Sequence, residues 1–148
     1  MSERRMNGRA LLAALALCSA IPAFADDGQA LFVQNCSSCH GADAEGIEGL
    51  APPLHNPELW QALGENSARY IAGVMTGGLS GTINAKGLDY FGLVMPPQSH
   101  IDSADLQRIA GYVISLNEAA ATPDQALIDQ FKAAPLTHKA LRDIRKGN

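Results

Sequence analysis

Cys36-Ser37-Ser38-Cys39-His40 limits what this chain can fold into more than any other stretch. Two cysteines separated by two residues, with a histidine next in line, form the attachment pattern for a c-type haem. Each thiol adds across one vinyl group of the porphyrin, and the adjacent imidazole falls under the iron as an axial ligand. One helical turn separates the thioethers, so a single helix end presents all three groups to one ring. Two other chemistries use paired cysteines. A thioredoxin-like dithiol requires a βαβ setting, and no strong strand pattern runs through the sequence. A structural zinc site requires four ligands, usually two such pairs, and no second pair exists here. Aromatic residues make up only 5% of the chain. A buried porphyrin supplies the large flat apolar surface that the side chains lack.

Residues 1–25 read as a secretory signal. Arg4, Arg5 and Arg9 form a basic n-region, Ala10 to Ala20 a short apolar run, and Ala23-Phe24-Ala25 a small-x-small cleavage site before Asp26. The apolar run is too short to cross a bilayer, so no membrane span is expected after cleavage. Cys18 follows the bulky Leu17, where a lipoprotein signal requires a small residue. The expected location is a bacterial periplasm. Cys18 leaves with the signal and both other cysteines belong to the haem motif, which leaves no disulfide framework. The remainder suits one domain.

Charge is uneven. Residues 26–136 carry four basic and thirteen acidic side chains, a net of −9, whereas residues 137–148 carry a net of +3. An acidic body argues against nucleic acid as a partner and is compatible with steering toward a basic protein surface, or with solubility alone.

Hydrophobic periodicity and punctuation place the elements. Gly28, Phe32 and Cys36 share one face of a helix leading into the motif. Gly41 to Pro53 is Gly- and Pro-rich and reads as loop. Asn56-Pro57 starts a short helix carrying Leu59 and Trp60. Ser67 to Met75 is a second, with Tyr70, Ile71 and Val74 on its apolar side, ended by Thr76-Gly77-Gly78. Residues 77–100 look irregular. Asp102 and Asp105 suggest a capping box before a strong helix striped by Leu106, Ile109, Ala110 and Val113. Gly111 inside it costs about 1 kcal/mol relative to Ala, which a close helix crossing would explain. Thr122-Pro123-Asp124 opens a further amphipathic segment near 123–134, followed by a basic tail.

The iron's sixth position separates an electron carrier from a catalyst. Met75, Met95, His55, His100 and His138 are the available side chains. Met95 precedes Pro96-Pro97, whose fixed φ stiffens the chain and holds a thioether in place. Met75 ends an apolar helix, where core packing is the commoner role. His100, five residues beyond Met95, is an alternative ligand if the loop rearranges.

Over residues 27–117 the chain resembles the class I (monohaem) c-type cytochromes. Gly28 and Phe32, the haem motif, Pro52 with Leu54, Met95-Pro96 and a closing helix with Tyr112 stand in the family's order. The resemblance implies an all-α fold of about four to five helices around one haem c held by Cys36 and Cys39. It implies His40 and Met95 as axial ligands, a hydrogen bond from His40 to the Pro52 carbonyl, and Leu54 and Val94 in the haem pocket. Trp60 or Tyr90 would either bond a haem propionate or simply pack. Residues 26–117 would form the cytochrome domain and 118–148 an extension that packs on it, docks a partner or stays disordered.

The function so implied is one-electron transfer, not enzymatic catalysis. Redox partners would be a periplasmic dehydrogenase, an oxidase or reductase, or a membrane cytochrome complex. Two alternatives stand beside a free carrier: an electron-accepting subunit of a periplasmic dehydrogenase complex, and a catalytic or gas-binding haem with a labile Met95.

Overall fold

The computed structural model describes residues 24–92 and 94–147. Residues 1–23 of the expected signal lie outside the described residues. Helix α1 spans Phe24–His40, longer than the periodicity predicted, because nothing between Cys36 and His40 breaks it. Gly41, with φ of 75°, ends it. Cys36, Cys39 and His40 therefore occupy its final turns.

Helix α2 is Pro57–Leu63 and α3 is Asn66–Gly77. Proline opens α2 as predicted, but the Asn56 side chain does not cap it. Instead the Asn56 amide donates to Asn117 Oδ1 at 2.7 Å. Helix α4 is Ser103–Leu116. Its expected capping box is absent: Asp102 makes no side-chain cap bond, and Asp105 pairs with Arg108 at 2.7 Å. The Ser103 hydroxyl donates to Asp129 of the next helix. Asp105 is thus spent on a pair within its own helix rather than on the cap.

The region expected to be irregular contains four short strands in two antiparallel pairs. Strand β1 (Leu79–Ser80) pairs with β4 (Val94–Met95), placing Leu79 opposite Met95. Strands β2 (Ile83–Ala85) and β3 (Leu88–Tyr90) form a hairpin. Its two-residue turn, Lys86-Gly87, has positive φ at both positions, the geometry that matches strand twist. Two- and three-residue strands are too short to show alternation in sequence.

Six helices, rather than four to five, are present among the described residues. Helix α5 spans Gln125–Ala133, with Asp124 accepting from the Leu127 amide at 2.8 Å. Helix α6 spans His138–Arg145 and is capped by Thr137. Their apolar residues are spent internally: Ile128, Phe131 and Leu141 are buried in the same core as Phe32, Leu106 and Val113. Both helices pack on α3.

The most extensive packing is between α1 and α4. A Cβ on Gly28 would stand 2.5 Å from the Arg108 carbonyl oxygen, so glycine is what lets the helices cross. Phe32 and Tyr112 meet there with ring centroids 5.3 Å apart. Gly111 plays no part, since its Cβ would meet only Thr122 at 3.9 Å. Among the described residues no helix is long and apolar enough to cross a membrane.

Candidate haem site

A cavity of about 430 Å³ opens between α1, α3, α4, the loop at 50–54 and the short strands. That is within the usual range for small-molecule and cofactor sites. Its walls are dominated by apolar side chains, among them Phe32, Leu54, Ile71, Ile109 and Val113. Cys36, Cys39 and His40 line it from the end of α1, and Met95 lines it from β4.

His40 is 7% exposed and its Nδ1 lies 3.0 Å from the Pro52 carbonyl oxygen. A carbonyl only accepts, so Nδ1 carries the proton and Nε2 keeps its lone pair. Burial lowers the pKa of His40, opposed in part by the Pro52 bond. The net result is a neutral, oriented imidazole, the state a metal ligand requires.

Burial, with Cys39 beside it, pushes the Cys36 thiol up to about 11. A nucleophilic redox dithiol shows the opposite shift, which disfavours the thioredoxin-like alternative. No cluster of three or more His, Cys, Asp or Glu suited to a metal ion exists among the described residues.

Five side chains were open as sixth ligand on sequence grounds, and the cavity divides them. Met75 and Met95 line it; His55, His100 and His138 do not. His55 Nδ1 sits 2.8 Å from Glu45 on the surface, His100 is exposed, and His138 contacts the Ser80 hydroxyl and the Gly77 carbonyl. Met75 is buried on α3. Met95 is only partly buried, held by its pairing to Leu79 on one side and by Pro96 on the other. Gly78, with φ of 72°, lets α3 end against the Met95 carbonyl, where a side chain would collide.

Leu54 and Val94 both line the cavity, Val94 standing 66% exposed at its mouth. Gly41 and Ala42, which follow the motif, are not among its walls. Trp60 is committed elsewhere: its Nε1 donates to the Leu54 carbonyl at 2.8 Å, and its ring meets Tyr70 edge-on with centroids 6.0 Å apart. Tyr90 is buried in the cavity wall.

Two residues escaped the sequence reading. Asn117, 1% exposed, donates from Nδ2 to the Leu54 carbonyl (2.9 Å) and the Val113 carbonyl (2.7 Å). With the Asn56 amide on its Oδ1, it fixes the loop that holds Pro52 against His40. Arg145 reaches the cavity wall from α6. No local signal marks either, because both act across more than fifty residues of chain.

The contents of the cavity fit the expected group. An apolar slot with paired thiols and a neutral imidazole at one edge suits a covalently held haem, and little else accounts for the set.

Residues 25–117 match the family described as "Cytochrome c". The chain is 28% identical over 143 residues to cytochrome c-552 of Thermus thermophilus, covering 97% of this chain and 86% of that protein. It is 34% identical over 110 residues to the Cbb3-type cytochrome c oxidase subunit CcoP of Helicobacter pylori, covering 72% of this chain but 32% of the subunit. A similar likeness, 29% over 106 residues, holds for the subunit FixP of Sinorhizobium medicae, covering 71% of this chain and 34% of FixP. The chain thus spans about a third of the length of these oxidase subunits.

Proposed function

The chain belongs to the cytochrome c family, whose cofactor is a covalently bound haem c, and on that premise we propose that it is a periplasmic one-electron carrier ligating its iron through His40 and Met95. One observation carries the reading: His40, its tautomer set by the Pro52 carbonyl, shares an apolar cavity with Cys36, Cys39 and Met95. Haem c supplies a one-electron couple, iron alternating between the ferric and ferrous states.

The chain's own residues do the rest. Cys36 and Cys39 form the thioethers. Pro52 keeps the imidazole in one tautomer and makes it more basic. The neutral thioether of Met95 favours the ferrous state and raises the potential relative to a second histidine. Leu54, Ile71 and Val113 keep water from the ring, and Val94 stands at the mouth where a partner would approach. Such redox encounters are small and salt-dependent. Residues 1–25 act as the export signal in this proposal, and residues 118–148 extend the haem domain of 26–117.

The oxidase subunits among the relatives favour a second reading, in which the chain serves as the electron-transferring part of a larger complex. The two part on a simple criterion. A free carrier exchanges electrons at a rate that depends on its concentration, and a subunit copurifies with its partner.

The test of ligation is the visible spectrum, oxidised and reduced, with and without carbon monoxide. The expected result is a low-spin c-type spectrum with the weak far-red sulfur-to-iron band, unchanged by the gas. Met95→Ala should remove that band and lower the potential while Met75→Ala keeps the band. Loss of the band from the Met75 variant alone would reverse the assignment, and a carbon monoxide shift in the natural protein would point to an open site.

A further inference from the structure

We propose that Arg145 is the counter-ion of a haem propionate, which makes α6 part of the haem site rather than an appendage. The proposal rests on the haem reading above and deepens it. With His40 neutral, Arg145 is the one charged side chain lining the cavity among the described residues, and no Asp, Glu or Lys joins it there. It comes from the last turn of α6, beyond the residues that match the family.

Its guanidinium is fixed to the wall by two hydrogen bonds. Nη1 donates to the Tyr70 hydroxyl at 3.0 Å and Nη2 to the Asn84 carbonyl at 2.8 Å. Its Cζ lies 6.0 Å from the centre of the Tyr70 ring. Among the described residues no carboxylate stands within ion-pair distance of it. A guanidinium has five N–H donors, so donors remain after these two contacts. Arg145 is half-buried, and an anion in the cavity would take up the donors that remain in charge-assisted hydrogen bonds. The propionates are the anions that a haem brings, and a planar guanidinium matches a carboxylate in a two-pronged fork.

The rest of α6 holds that arginine in place. Thr137 caps the helix and Leu141 is fully buried. Arg142 donates to the Ser80 carbonyl at 2.5 Å, and His138 contacts the Ser80 hydroxyl. With Arg145 on the Asn84 carbonyl, helix α6 is stapled to β1 and β2, the strands that edge the cavity.

An unpaired propionate stabilises the ferric iron, so removing the charge of Arg145 lowers the potential. It also frees the propionate to titrate with a pKa that differs between the two oxidation states. The experiment is the reduction potential of purified holoprotein against pH, for the natural chain, Arg145→Gln and Arg145→Lys. The Gln variant should keep a c-type spectrum. Its reduced-to-oxidised ratio at fixed solution potential should fall about tenfold, or ~59 mV for one electron, and its potential should become pH-dependent near neutrality. The Lys variant keeps the charge but cannot span both Tyr70 and Asn84, and its ratio should stay within about twofold of natural. A purely structural role predicts that Lys and Gln shift together; that result, or no shift in Gln, overturns the proposal. If Gln yields no folded holoprotein, Lys decides alone: a natural potential supports the pairing and a tenfold change overturns it. No c-type spectrum in any variant, the natural chain included, would defeat the haem reading itself and this proposal with it.

Discussion

Replacing Asn117 by alanine should destabilise the holoprotein by about 2–4 kcal/mol. The side chain is 1% exposed and makes three hydrogen bonds, two donated and one accepted. Each ordinary bond contributes about 0.5–1.5 kcal/mol net, and a buried donor left without a partner costs about 1–3 kcal/mol. Alanine strands the buried Asn56 amide, and that accounts for most of the loss. The Leu54 carbonyl keeps the Trp60 indole as its second donor, so its own loss is small. The assay is urea unfolding followed by far-ultraviolet circular dichroism and haem absorbance, where the midpoint should fall with an unchanged slope.

Asn117→Asp sharpens the test. A carboxylate cannot donate to the Leu54 and Val113 carbonyls, so burial and those oxygens raise its folded pKa above the unfolded value of about 3.9. A raised carboxyl is least harmful below the unfolded pKa and costs stability as pH rises toward the folded one. The gap between this variant and the natural chain should therefore widen from pH 4 to pH 7. A loss below about 1 kcal/mol in the Ala variant, or a gap independent of pH in the Asp variant, would refute the account.

Gly28→Ala should cost about 1–3 kcal/mol by overpacking the α1–α4 crossing, whereas Gly111→Ala should gain about 0.5–1 kcal/mol by stiffening an uncrowded helix. Thermal melts of the two holoproteins moving in the same direction would show that the crossing glycine is misassigned. Glu45→Gln should remove a surface pair worth about 0.2–1 kcal/mol. His55 holds the Glu45 carboxyl below its ordinary 4.5, with Lys86 assisting. That stability is present above the ordinary value and disappears as pH falls through the lowered one. Urea midpoints of variant and natural chain should converge in acid and in high salt, and a difference that persists at pH 3 would show that the pair is not its source.

What was legible in the sequence was short-range. The haem motif works through positions 36, 39 and 40 on one helix end, and α4 carries four apolar residues at helical spacing, so both could be read locally. Pro57 and Asp124 mark helix starts because their effect is confined to one turn. The capping box at Asp102 failed although its ingredients are local, because Asp105 pairs with Arg108 one turn on in the same helix instead. The strands at 79–95 were invisible because two or three residues are too few to show alternation, and β1 takes its register from β4, which lies beyond the hairpin.

The basic end of the charge asymmetry has a use within the fold. Among the described residues the tail's arginines form no ion pair. Arg142 and Arg145 donate to the Ser80 and Asn84 carbonyls, and the tail's surface pair, Lys139 with Asp143, lies within α6 itself. Guanidinium suits this work because it supplies several fixed donors on a stem long enough to cross from one element to another. Two of the strand carbonyls beside the cavity thereby accept from α6. The positive charge follows from the use of arginine as a donor, and only at Arg145 does the charge face a place where an anion belongs.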